Sequence, residues 1–221
     1  MNNTMIKILA LSLTATGLSN SAFASENDSW FLRPYLGLSQ VSNFEATANN
    51  VDGLTGPAKI DLDSGYVTGI GIGYRYNENI AVELAWEYRS NDADVLVADQ
   101  SLLTNGNYAS NIFFINGHYH FNRQGNWQPY VGAGLSWIQE IDIDFERNGI
   151  ESSYSSDGDT GYQLFAGVDY QLAPAWALQT ELRYGSTTGI NLEQEEGNVG
   201  GSFSNLDYKP FTLQAGIVYQ F

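Results

Sequence analysis

The 221-residue sequence predicts an all-β fold, an eight-stranded antiparallel up-and-down transmembrane β-barrel. Three observations predict it. Eight stretches alternate apolar with small or polar residues at period two, as strands do when one face meets lipid and the other a lumen. The connections between them alternate between short and long. The last eleven residues place Phe211, Leu213, Ala215, Ile217, Tyr219 and Phe221 on one face, with Thr212, Gln214, Gly216, Val218 and Gln220 on the other. Such a strand can sit in a bilayer only if its sheet closes, because an open edge would leave backbone groups unpaired in hydrocarbon.

Composition narrows the function classes. There is no cysteine, which removes disulfides, thiolate chemistry and cysteine-based metal sites. The net charge of −16 argues against nucleic-acid binding, which needs Lys and Arg to neutralise phosphates. Aromatics make up 14% of the chain, in keeping with strands at a water–lipid boundary. At the N-terminus, Lys7, the apolar run Ile8 to Leu18 and the small-x-small site Ala22-Phe23-Ala24 read as a secretory signal. The run falls short of the ~20 apolar residues of a membrane-spanning helix. Residues 1–24 are therefore expected to be a signal peptide and 25–221 the barrel domain, which keeps 25 acids against 8 bases once Lys7, one of 9, leaves.

The first segment points Trp30, Leu32, Pro34, Leu36 and Leu38 outward and Phe31, Arg33, Tyr35, Gly37 and Ser39 inward. The second sets Tyr66, Thr68, Ile70, Ile72, Tyr74 and Tyr76 against Val67, Gly69, Gly71, Gly73 and Arg75; its inward glycines leave room where side chains cross a narrow lumen. After a turn at Asn77-Glu78-Asn79, the third has Ile80, Val82, Leu84, Trp86 and Tyr88 out, and Ala81, Glu83, Ala85, Glu87 and Arg89 in. The fourth turns Phe113, Ile115, Gly117, Tyr119 and Phe121 out and Ser110, Ile112, Phe114, Asn116, His118 and His120 in. In the fifth, Pro129, Val131, Ala133, Leu135 and Trp137 oppose Tyr130, Gly132, Gly134 and Ser136. The sixth runs from Tyr162 to Gln171, the seventh from Trp176 to Gly185, and the C-terminal stretch is the eighth.

Short turns fall at 77–79, 122–126 and 173–175, and long polar loops are expected near 43–64, 90–107, 144–160 and 186–207. Short periplasmic turns and longer extracellular loops are the pattern of outer-membrane barrels, and two termini on the short-turn side require an even strand count. From Tyr66 to Tyr76, ten residues at ~3.3 Å and a ~45° tilt span roughly 23 Å, close to the ~25 Å apolar band of such barrels. Aromatics cluster at both ends of that band.

Pro129-Tyr-Val-Gly-Ala-Gly-Leu135, Gly161-Tyr-Gln-Leu-Phe-Ala-Gly-Val-Asp-Tyr170, Asn116-Gly-His-Tyr-His-Phe121 and the terminal Tyr219-Gln-Phe221 resemble the small eight-stranded outer-membrane barrel family, which includes OmpA transmembrane domains and OmpX-like barrels. The likeness covers the whole mature chain. It implies a Gram-negative outer-membrane location and makes Phe211, Leu213, Ile217, Tyr219 and Phe221 an assembly signal read by the barrel-assembly machinery. A peptidoglycan-binding domain after Phe221 is not expected.

Arg33, Arg75, Glu83, Glu87, Arg89, Asp169, Glu181 and Arg183 form the expected lumen charge network, with Glu140, His118 and His120 on the same inward face. Opposite charges on neighbouring strands would pair across so narrow a barrel. His118 and His120, two residues apart on one strand face, could hold a metal, but the sequence supplies no third ligand. The long loops are acidic: Asp92, Asp94 and Asp99; Asp144, Glu146, Glu151, Asp157 and Asp159; Glu193, Glu195, Glu196 and Asp207. Ser155-Ser-Asp157-Gly-Asp159 is a calcium-loop fragment without the EF-hand spacing or closing Glu. The reading that follows is a monomeric, non-enzymatic barrel with no cofactor, embedded in outer-membrane lipid and lipopolysaccharide and meeting an extracellular ligand through acidic loops. A narrow porin-like channel is the alternative, and a lipid-modifying enzyme a distant third.

Overall fold

The computed structural model describes residues 30–51, 53–97, 101–147, 150–196 and 200–221. The expected signal peptide and Asp99 lie outside these residues, and the side chains of Glu151 and Glu196 are likewise not described. Twelve strands follow in order: β1 (Trp30–Val41), β2 (Phe44–Val51), β3 (Leu54–Leu62), β4 (Gly65–Arg75), β5 (Ile80–Val97), β6 (Ser101–His120), β7 (Trp127–Arg147), β8 (Ile150–Ser156), β9 (Thr160–Ala173), β10 (Trp176–Glu196), β11 (Ser202–Tyr208) and β12 (Pro210–Gln220).

Their antiparallel pairings close twice. A lower ring runs β1–β4–β5–β6–β7–β9–β10–β12 and back to β1, which is the expected eight-stranded barrel. An upper ring runs β2–β3–β5–β6–β7–β8–β10–β11 and back to β2. β5, β6, β7 and β10 pass through both rings. The other four positions are each broken once, at 42–43, 63–64, 157–159 and Lys209. Hydrogen bonds bridge the gaps, among them Ser42 N to Lys209 O at 3.3 Å and Asp63 N to Asp92 O at 3.0 Å. Pro210 has no N–H to give, which ends the ladder between β10 and β12 there.

The four stretches expected as long polar loops are therefore mostly strand. The reason is an inversion of polarity along unbroken strands. In β5, Ile80, Val82 and Leu84 are exposed while Glu83, Glu87 and Arg89 are buried. Past Ser90 the pleat keeps its phase, but Asp92 and Asp94 now face out and Ala93, Val95 and Val97 are buried. The lower ring thus has an apolar exterior and a polar interior. The upper ring is built like a soluble barrel, around a core that includes Phe44, Ile60, Val95, Ile143, Phe145, Tyr154, Leu192 and Phe203.

The lower exterior carries two aromatic bands. Trp30 meets Tyr74, Trp127 meets Tyr170 and Trp176 meets Tyr219 near the short turns, and Tyr66–Tyr88 and Phe113–Trp137 lie at the upper margin. Phe211, Leu213, Ile217, Tyr219 and Phe221 are all exposed on the outer face of β12 or just past it. Inside, glycines receive aromatic rings from the facing strand. Phe31 is paired with Gly73, Tyr35 with Gly69, Phe165 with Gly132 and Tyr130 with Gly167, and in each case the ring fills the space a Cβ would take.

Candidate functional site

The lower lumen is filled by three arginines and three glutamates that balance in charge. Arg33 grips Glu83 in a fork, Nε to Oε2 at 2.7 Å and Nη2 to Oε1 at 2.5 Å, and lies 3.5 Å from Glu181. Arg89 donates to Glu87 at 2.7 Å, to Ser39 at 2.8 Å and to Thr212 at 2.8 Å. Arg183 bridges Glu87 at 2.9 Å and Glu181 at 2.7 Å. None of the six is more than 3% exposed. Planar guanidinium groups suit this role because each presents several donors in a fixed fork.

Neutral residues complete the set. Tyr35 OH donates to Glu87 at 3.1 Å, Tyr130 OH to Glu181 at 2.7 Å, Gln214 to Glu181 at 3.0 Å and Asn116 to Glu83 at 3.0 Å, while Gln179 accepts from Arg33 at 2.7 Å. Sequence reasoning that singled out charged residues alone passed these over. Their signal was the same alternation, which already put Tyr35, Asn116 and Tyr130 on the inward face.

Three other expected members lie elsewhere. Asp169 and Arg75 sit nearer the short-turn rim, where Asp169 meets His120 Nε2 at 3.3 Å and Arg75 lies over the Phe31 ring at 5.4 Å. Glu140 is a correction: it is exposed on the outer wall. A bulge opposite Asn111 and Ile112 inserts Gln139, so that Ile138 and Ile141 both face in and Glu140 turns out. The His118 and His120 rings stack 6.4 Å apart, and among the described residues they belong to no group of three or more His, Cys, Asp or Glu side chains placed to hold a metal ion. Among those residues no Ser or Thr hydroxyl is hydrogen-bonded to either imidazole, and His120 Nε2 has Asp169 as its partner.

Above the charges lies the apolar core of the upper ring. Below them, Phe31, Ala81, Ala177 and Val218 form a smaller apolar layer. At the junction of the rings, beside Glu87, Arg89 and Arg183, lies a cavity of about 20 Å³, room for about one water. The outer wall of the upper ring is acidic. Along β7, Glu140, Asp142, Asp144 and Glu146 face out, with Asp92 and Asp94 on β5 and Glu193 and Glu195 on β10. Asp157 and Asp159 lie in the break between β8 and β9, where Ser156 Oγ donates to Asp159 at 2.7 Å.

A closed antiparallel ring with an apolar, aromatic-banded exterior and a charged interior defines an integral outer-membrane β-barrel. The chain belongs to the outer membrane protein beta-barrel domain family, which matches residues 8–221. Among solved structures it is similar to OprG from Pseudomonas aeruginosa, at 16% identity over 87% of this chain and 95% of that one, with a TM-score of 0.69. The outer membrane protein AlkL, solved in DMPC bilayers, is 19% identical over 91% and 94%, with a TM-score of 0.56. The outer membrane protease OmpT from Escherichia coli is 10% identical over 91% and 99%, with a TM-score of 0.54. No curated protein sequence matches the chain. At these identities the likeness is one of fold, and function on such a scaffold must be argued from the site.

Proposed function

We propose that this protein is a non-catalytic, non-conducting barrel that holds an acidic, water-facing upper ring above the outer membrane as an interaction surface. The observation that carries this reading is the occupied lumen: an apolar layer, a charge-balanced cluster and a second apolar core follow one another along the axis. The outer wall supports the surface role, since Asp142, Asp144 and Glu146 project from β7 on the side opposite Ile141, Ile143 and Phe145. A basic partner is the chemistry such a wall would attract. Lipid and lipopolysaccharide would cover the lower exterior, and the barrel-assembly machinery would read the β12 face. A lipid-modifying or proteolytic activity finds no support in the His118–His120 pair, which faces the lumen.

The second reading is a narrow channel, favoured by the small cavity beside Arg89 and Arg183. Single-channel recording of the refolded chain from Ser25 to Phe221 in a planar bilayer separates the two. Silence from a chain shown to be folded by its heat-shifted gel mobility supports the anchor. Discrete steps that change with Arg183→Ala would make the lumen the function and overturn it.

A further inference from the structure

The lipid-facing wall of the lower ring carries a groove of about 1050 Å³, shared by β1, β4, β5, β6, β7 and β9. Strand register explains its shape. One bank is the cross-strand row Leu32, Ile72, Leu84, Ile115, Leu135 and Tyr162, each paired directly with the next. The other bank is the neighbouring outward row Ile70, Trp86, Phe113, Trp137 and Thr160. Between them Gly71, Ala85, Phe114, Ser136 and Gly161 face inward, so backbone makes the floor. The second bank is braced, since Phe113 and Trp137 stack 5.9 Å apart.

The dimensions select the occupant. Five steps between strands at ~4.8 Å give a length of about 24 Å, and two residues along a strand separate the banks by about 6.6 Å. An α-helix, about 10–12 Å across with its side chains, is too wide. A second barrel would touch only the crests. One extended acyl chain fits, and the bilayer around the lower ring supplies it. In the groove such a chain meets the floor and both banks at once, and gains dispersion contacts that a flat face does not offer.

The groove also has a direction. It starts low at Leu32, two residues from Trp30 of the lower aromatic band, and ends high at Tyr162, eight residues from Tyr170 of the same band. A row perpendicular to strands tilted by ~45° climbs about 17 Å over that length. The low end is apolar, with Leu32, Ile70 and Ile72, whereas Trp137, Thr160 and Tyr162 bring an indole N–H, a hydroxyl and a phenol to the high end. A lipid lying here therefore has its head at the upper margin and its tail running down, the orientation of the leaflet that carries lipopolysaccharide.

We propose that this groove is a binding site for one acyl chain of lipopolysaccharide, held between the Leu84, Ile115, Leu135 bank and the Trp86, Phe113, Trp137 bank. The site gives the lipid contact of the lower exterior a fixed place, and it stands whether or not the lumen conducts.

The test mixes the refolded chain from Ser25 to Phe221, in detergent micelles, with equal amounts of lipid A and phosphatidylethanolamine, and native mass spectrometry counts the lipids retained. Magnesium chloride is present throughout, because Asp157 and Asp159 next to Thr160 would otherwise repel the lipid A phosphates. One lipid A per chain is expected to survive activation that strips phosphatidylethanolamine. Trp86→Ala/Trp137→Ala removes the taller bank and is expected to weaken retention about tenfold. Trp176→Ala, outside the groove, is expected to match the parent chain. Should the double variant fail to fold by gel mobility, Leu84→Ala/Leu135→Ala lowers the opposite bank and is expected to weaken retention in the same way. The proposal is overturned by phosphatidylethanolamine retained as well as lipid A, by uptake of lipid A that does not saturate at one per chain, or by unchanged retention in a folded bank variant.

Discussion

Cutting the Arg33–Glu83 pair from either side should cost far more than removing it whole. Both side chains are fully buried and share two hydrogen bonds of 2.7 and 2.5 Å. Leaving one buried charge without its partner costs about 3–5 kcal/mol. Arg33→Leu should fall at the upper end of that range, because Glu83 then keeps only Asn116 at 3.0 Å and His118 at 3.9 Å. Glu83→Leu should fall at the lower end, since Arg33 still reaches Gln179 at 2.7 Å and Glu181 at 3.5 Å. The double variant leaves Arg89 and Arg183 facing Glu87 and Glu181, again in balance. Its cost should be below the sum of the single costs by about 3 kcal/mol or more, because no orphaned charge remains. Urea unfolding in lipid vesicles measures all three, followed by the fluorescence of the five tryptophans. Costs that add to within about 0.5 kcal/mol would refute the reasoning and show that the two residues do not act as a pair.

Other substitutions separate the rings and their devices. Gly73→Val should destabilise the barrel by about 1–3 kcal/mol, since the Phe31 ring occupies the place of the new side chain, whereas Gly125→Ala in an open turn should be neutral in the same unfolding assay. Phe203→Ala removes a ring packed 5.1 Å from Tyr154 and should cost the upper ring about 3–5 kcal/mol, read as protease nicking above the membrane while the lower strands stay protected. Partial burial, then repulsion from Asp144, Glu195 and Glu140, raises the pKa of Asp142 above its usual 3.8, against an opposing hydrogen bond from Ser153. A raised carboxylate binds its proton more tightly in the folded state, so stability should fall as pH rises from about 4 through the folded-state value. Asp142→Asn should flatten that slope and raise upper-ring protease resistance at pH 7.

The lower ring was legible in the sequence because lipid enforces a strict rule on every outward position. Tyr66 to Tyr76 shows it, with apolar or Thr side chains alternating against Val, Gly and Arg. The upper ring obeys the opposite rule, and its acidic outer wall made it look like loop. Yet Ile141, Ile143 and Phe145 alternate with Asp142, Asp144 and Glu146 as cleanly as any lower strand. Only the sign of the pattern differs. Glu140 was misplaced because period-two counting has no means of seeing an inserted residue, and the bulge at Gln139 leaves no mark in composition.

The four strands that run through both rings also make the alignment of the chain self-checking. Sliding β5 by one residue would push Glu83 and Glu87 into hydrocarbon and, by the same movement, drive Asp92 and Asp94 into the upper core. The error is penalised twice, in two different solvents. A barrel with flexible loops would detect a misaligned strand only within the bilayer. Here the part outside the membrane acts as an independent proofreader of the part inside it.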